Sequence, residues 1–243
     1  MTTRTAAYDG ALHALDAQWS RLLEVLPGLN PAASTRVAGW TVREVEAHLT
    51  ATTDGLVRII AAEAPARADT DIVGWADAVP GLAAVADADA LAGPADLAAA
   101  VGRARAALRN ADEKQVVQQR TGAHTLFDAV RFRLIEGVVH GLDLGIDPDP
   151  IAQRIVVKTL VEILAARAPG HAVELRIPPY AAVQVLEGPR HTRGTPPNVV
   201  EMGPRAFLEL ATGRSAWHDA VRDGTVRASG ERADLSAWLP LLH

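Results

Sequence analysis

Residues Thr125 to Gly145, TLFDAVRFRLIEGVVHGLDLG, most limit what this chain can become. Phe127, Val130, Leu134 and Val138 repeat at helical spacing. Leu126, Phe132, Ile135, Val139 and Leu142 extend the apolar surface around most of the circumference. A helix of this kind is buried rather than laid on a surface. Thr125 followed by Asp128 has the form of a helix start, and Gly145 with Pro148 and Pro150 beyond it supplies the stop. Within this apolar segment stand Glu136 and His140. Four residues apart, they leave the helix about 40° from each other, one turn apart on the same face. A buried carboxylate and imidazole are costly unless each other, a cation or a substrate compensates them.

A second helix carries a third group of this kind. Thr41 and Glu44 form a capping box just after Trp40, which makes Glu44 a cap residue. His48 follows on the stripe of Val45, Thr52, Leu56 and Ile59, the core-facing side. A lone histidine there is ordinarily a hydrogen-bonded core residue. His48 gains interest because the other buried helix carries Glu136 and His140. Two imidazoles and one carboxylate form a common first shell for a divalent metal, leaving positions open for water or substrate. No donor softer than nitrogen is offered, which suits zinc and also nickel, iron or manganese. The competing reading is a buried Glu136–His140 ion pair with His48 unrelated, and the residues alone leave both open.

Around these helices the pattern predicts a helix over 3–27, two Ala-rich helices over Trp75–Ala92 and Pro94–Asn110, and a short extended piece over Lys114–Gln119. His124 stands at the mouth of the Thr125 helix with a minor claim to a site role, and His13 reads as a surface histidine. After Gly145 the composition changes. A helix over Ile151–Arg167 is followed by a strand over His171–Ile177, a break at Pro178 and Pro179, and a second strand over Ala181–Leu186. Gly188 and Pro189 form a turn. Two short helices over Pro204–Thr212 and Ser215–Asp223, a strand over Thr225–Ala228 and a closing helix over Ala233–Leu239 complete the chain. The first part, residues 1–147, is therefore all-helical, and the second, residues 148–243, is α+β.

Bulk properties narrow the function. A net charge of −5 with scattered basic residues argues against nucleic acid as a partner. No run of 18 apolar residues occurs, and MTTRTAAYDG lacks the apolar core of a signal peptide, so membrane insertion is not expected and the default compartment is the cytoplasm. Cysteine is absent, which excludes disulfides, thiolate ligands and a cysteine nucleophile. Any thiol chemistry must use an external thiol.

GWTVREVEAHLT at 39–50 and EGVVHGLDLG at 136–145 resemble the N-terminal domain of the mycothiol-dependent maleylpyruvate isomerase family, within the wider DinB-like group of metal-binding four-helix bundles. That resemblance covers about residues 10–145 and implies that His48, Glu136 and His140 are metal ligands. LRIPPYAAVQV, HTRGTPPNVVEMGPRAFLELATG and VRASGERADLSAWLPL resemble a bacterial domain related to sterol carrier proteins, over about residues 150–241. This domain often follows the first in actinobacteria, and it implies a curved sheet with helices over an apolar cavity.

The resemblance implies a metal-dependent enzyme, zinc being the expected metal, that uses mycothiol on a small electrophilic substrate. A metal-activated thiolate adds to an unsaturated electrophile; leaving again after bond rotation gives isomerisation, and staying gives S-transfer. A carboxylate-bearing substrate needs cations near the metal, for which Arg193, Arg205, Arg214 and Arg227 are candidates. The alternative is a carrier of lipid or small apolar ligands whose metal is structural or vestigial.

Overall fold

The computed structural model describes residues 4–92, 95–188 and 197–242, which divide into two compact units, Met1–Gln153 and Arg154–His243. In the first, α1 (Ala6–Val25) begins at Thr5, whose hydroxyl accepts the Tyr8 N–H, and a 3₁₀ turn (Leu26–Gly28) follows it. Helix α2 (Val42–Ala61) opens with the expected Thr41–Glu44 capping box. The segment expected as one helix over Trp75–Ala92 is broken. Helix α3 (Ile72–Ala78) and α4 (Ala83–Ala92) are separated by a 3₁₀ turn over Val79–Leu82. Pro80 in that turn has no N–H to continue an α-helical ladder. Helix α5 (Leu97–Leu108) starts with Asp96 as its cap, whose carboxylate accepts the Ala99 N–H; Pro94, expected at a first helical position, lies outside the described residues. The extended piece before the central helix becomes β1 (Val116–Gln119), which pairs antiparallel with an unanticipated β2 (Gly122–Thr125). Helix α6 (Leu126–Asp143) then starts at Thr125, which accepts the Asp128 N–H.

Four of these helices close a bundle: α1 packs on α6, α6 on α2, α2 on α5 and α5 on α1. The two sides of α6 are used differently. Gly137 and Gly141, one turn apart, face α1. A Cβ at Gly141 would lie 3.2 Å from Gln18 Nε2 and 3.6 Å from Leu22 Cδ2; one at Gly137 would lie 3.3 Å from Gln18 Cγ. The fully buried Gln18 exploits that closeness. Its Nε2 donates to the Gly137 carbonyl at 3.0 Å, and its Oε1 accepts the Asp149 N–H at 3.0 Å. Glu136 and His140 each precede one of these glycines. They point about 100° away, toward α2.

In the second unit α7 (Pro150–Arg167) precedes a four-stranded sheet of order β4-β3-β5-β6, formed by β3 (Val173–Ile177), β4 (Ala181–Val185), β5 (Val199–Met202) and β6 (Val226–Ser229). Strands β3 and β5 are parallel and the other pairs antiparallel. Val173, Leu175 and Ile177 are buried with Val185, Val200 and Met202, while the alternating Glu174, Arg176 and Glu201 stay partly accessible. Helices α8 (Pro204–Ala211) and α9 (Trp217–Arg222) contribute Phe207, Leu208, Leu210 and Trp217 to the buried set, and α7 contributes Val156, Leu160 and Ile163. Strand β5 was not anticipated from the sequence, and Pro189 of the expected turn lies outside the described residues. The expected closing helix over Ala233–Leu239 is absent. That segment runs in turns, because the Asp234 carboxylate takes the Ser236 N–H at 2.8 Å and Pro240 stops further winding. Among the described residues no helix is long and apolar enough to cross a membrane.

The close α1–α6 approach makes a direct prediction. Gln18→Leu keeps the volume but leaves the Asp149 N–H without its acceptor. It should lower stability by about 1–3 kcal/mol, read as a fall in the urea midpoint at unchanged m-value.

Candidate metal centre

The loop before α2 places an aromatic wall. Gly39 has φ of +80°, a conformation that favours glycine, and the chain there folds back on itself. Thr35 N–H donates to the Trp40 carbonyl, Trp40 N–H to that of Val37, and Val42 N–H to that of Ala33. The same loop docks on the end of α6, where the Arg36 N–H donates to the Asp143 carbonyl at 3.1 Å. Trp40 is thereby held against two imidazoles. Its ring centroid lies 5.3 Å from that of His48 and 6.2 Å from that of His140, nearly parallel to the latter at 20°. The indole N–H donates to Asp87 on α4 at 3.1 Å.

The structure brings His48, Glu136 and His140 together, each offering one ligand atom, with these atoms all within 4.8 Å of one another. The hydrogen bonds differ from the expected Glu136–His140 pairing. Glu136 bonds His48 across the bundle, Nε2 to Oε2 at 3.0 Å, rather than His140 on its own helix. His140 instead uses Nδ1 toward the buried Asp143, at 3.0 Å. An ionised Glu136 only accepts, so His48 Nε2–H is the donor there; Asp143 likewise makes His140 Nδ1 the donor. In neutral His140 the Nε2 lone pair is then left free. His48 Nδ1 is buried without a hydrogen-bond partner.

Charge at the centre is set by a residue that the sequence reading passed over. Arg133, one turn before Glu136, brings Nη1 to 3.9 Å from Glu136 Oε2. Burial by itself pushes the Glu136 carboxyl upward. The Arg133 guanidinium, the His48 hydrogen bond and the charges of His48 and His140 together outweigh it and hold the carboxyl well below the usual carboxylate range. Glu136 is therefore ionised at neutral pH.

The donor set fits a divalent cation: two imidazole nitrogens and a carboxylate that stays ionised, with one imidazole oriented by a second carboxylate. The His48 Nε2 proton joins His48 to Glu136, and a cation bound by both residues would displace it.

The remaining sequence candidates fall elsewhere. Glu44 caps α2, accepting from the Thr41 N–H at 2.8 Å and from its hydroxyl. His13 is exposed. His124 is fully buried on β2, bonded through Nε2 to Thr121 at 2.9 Å and packed edge-on to Phe132; burial lowers its pKa. Of the arginines, Arg205 bonds Glu209 at 3.3 Å, Arg214 donates to the Thr212 carbonyl at 2.7 Å, and Arg227 is exposed on β6. Arg193 lies outside the described residues. Asp143 and Arg133 were legible only as spacings, H-x-x-D and R-x-x-E on one helix, which are too common to single out alone.

A four-helix bundle that gathers two imidazoles and a carboxylate from two helices, followed by an α+β unit, defines the class of protein. The profile of the mycothiol maleylpyruvate isomerase N-terminal domain matches residues 12–145, and that of a bacterial SCP ortholog matches residues 150–241. The chain belongs to the mycothiol maleylpyruvate isomerase family and carries an SCP-type C-terminal domain. Two crystal structures share its fold. The mycothiol-dependent maleylpyruvate isomerase is 16% identical with a TM-score of 0.60, and a histidine-to-alanine mutant of that enzyme is 14% identical with the same score. Each match covers 93% of this chain and 94% of the other. No curated protein sequence matches the chain.

The lowered carboxyl makes acid stability a test of the geometry. Near the ordinary carboxylate range the unfolded chain binds more protons at Glu136 than the folded one. The stabilisation is thus present above about pH 4.5 and lost as pH falls below it. Thermal unfolding should show a fall in Tm between about pH 5 and pH 3 that is shallower in Glu136→Gln than in the parent.

Proposed function

We propose that this protein is a metal-dependent enzyme that uses a low-molecular-weight thiol, mycothiol, for isomerisation or S-transfer on a small electrophilic substrate. The observation that carries the reading is the convergence of the His48, Glu136 and His140 donor atoms within 4.8 Å in a chain of this family. Zinc is the proposed metal. When bound, it supplies a Lewis-acid charge that lowers the pKa of a thiol.

The protein's own residues do the rest. Asp143 fixes the His140 ring through Nδ1, and Glu136 holds His48 through Nε2 until a cation takes the place of that proton. Trp40 covers the two rings and limits water on that side. The chain has no cysteine, so the sulfur is brought in. The thiolate forms a C–S bond at the activated double bond, and the electron pair moves onto the conjugated carbonyl. Rotation about the new single bond and expulsion of the thiolate restore the double bond in the other geometry; protonation of the adduct instead gives the S-transfer product. The cytoplasm, which keeps small thiols reduced, is the proposed compartment.

A carrier function for the second unit is the weaker reading. The SCP-type match favours it. Against it, the inner side chains of the sheet are buried; a groove of about 370 Å³ beside Pro178, Pro179 and Tyr180 is largely apolar but is also lined by Arg176 and Glu201.

Metal analysis tests the proposal. The purified or reconstituted parent should hold about one equivalent of zinc. His48→Ala, Glu136→Ala and His140→Ala should each lose it while remaining folded by circular dichroism. A parent that takes up neither zinc, nickel nor manganese would overturn the enzyme reading. Asp143→Asn should keep the site but weaken zinc by about 10–100-fold, measured by competition with a chromogenic chelator.

A further inference from the structure

Arg133 carries more than the mechanism asks of it. Its side chain is 14% exposed, and its guanidinium makes no hydrogen bond among the described residues; its nearest anionic atom, Glu136 Oε2, is 3.9 Å away and already accepts from His48. Other arginines of the same unit are spent on partners. Arg131 reaches Asp128 at 3.2 Å, Arg103 grips Asp54 through two nitrogens at 2.9 Å each, and Arg4 donates to the carbonyls of Leu108, Arg109 and Ala111. A largely buried guanidinium with five unspent donors is costly, and its planar fork matches a carboxylate. A cation at the triad would draw on the charge of Glu136, the one carboxylate within 4 Å of Arg133 among the described residues.

We propose that Arg133 is the specificity-determining residue of the centre, binding the carboxylate of a small organic ligand that enters beside the metal. The proposal rests on the metal reading above and deepens it by naming the ligand class as carboxylate-bearing. It also moves the expected substrate cation from the second domain to the ligand helix itself. The carboxylate arrives either on the thiol or on the electrophile.

The test uses the full-length protein loaded with cobalt(II), whose visible spectrum reports ligands without any turnover. In one arm the protein is titrated with mercaptopropionate and with mercaptopropanol, which differ only in the carboxylate. In the other, succinate or its neutral counterpart butane-1,4-diol is added to protein saturated with mercaptopropanol. The parent should prefer the carboxylate in at least one arm, and Arg133→Gln should reduce that preference by about tenfold or more, with Arg133→Lys retaining part of it. Comparing two ligands on the same variant cancels any change in metal affinity or folding. An effect in the first arm assigns the carboxylate to the thiol, and one in the second assigns it to the electrophile. Equal preferences in the parent and Arg133→Gln, in both arms, would overturn the proposal while leaving the metal site standing. A parent that takes up no cobalt gives no spectrum at all, and that result would overturn the metal reading and this proposal together.

Discussion

Helix α6 must be approached from two sides at once, and the contact with α1 governs how closely. Where two helices bearing ordinary side chains pack, their axes stay about 8–10 Å apart. At Gly137 and Gly141 no side chain intervenes, so Gln18 can lie against the helix and bond its carbonyl directly. Each of these glycines follows a residue of the triad, so the step of about 100° between neighbours ties one contact to the other. Rotating α6 to relieve pressure at the glycines would swing Glu136 away from His48. The position of the carboxylate is in this sense set on the opposite side of its helix.

That arrangement holds a carboxylate inside a mostly apolar bundle without neutralising it. Desolvation favours the protonated acid, and against it stand a nearby guanidinium, a donated imidazole proton and two histidines. A protonated Glu136 would be a poor ligand for any cation. The ionised form is ready to exchange the proton of His48 for a metal, so ligand competence and acid lability come from the same balance.

Much of this was readable from the chain, for reasons that differ from residue to residue. The all-round apolar pattern of 126–142 reported a buried helix because burial on every side leaves no polar stripe. The capping box at Thr41 and Glu44 is a local hydrogen-bond exchange, and local chemistry is what sequence records best. The break at Pro80 was also written there but was outvoted by alanine content. Strand β5 was hidden because four residues of Val-Val-Glu-Met gain their strand identity from β3 and β6 on either side, not from themselves. Pairing of Glu136 with His48 rather than His140 could not be read. Spacing on one helix is visible in sequence, but a partner 88 residues away depends on packing. Arg133 is illegible for a related reason: a charge one turn from a carboxylate is common on helices, and its burial beside Glu136 depends on packing.

The two histidines are held unequally, and this bears on how the centre assembles. His140 is fixed by Asp143, a residue of its own helix that is almost wholly buried, so its orientation does not depend on the rest of the triad. Among the described residues His48 Nδ1 has no hydrogen-bond partner and its ring bonds only Glu136, with Trp40 packed alongside. Glu136 is thus the group that aims His48, and under the proposed function it would also be a ligand. Losing it would remove one donor group and release a second, whereas losing His48 would leave Glu136 and His140 on α6. The cluster is therefore built on α6, with α2 contributing an imidazole that the α6 carboxylate itself holds.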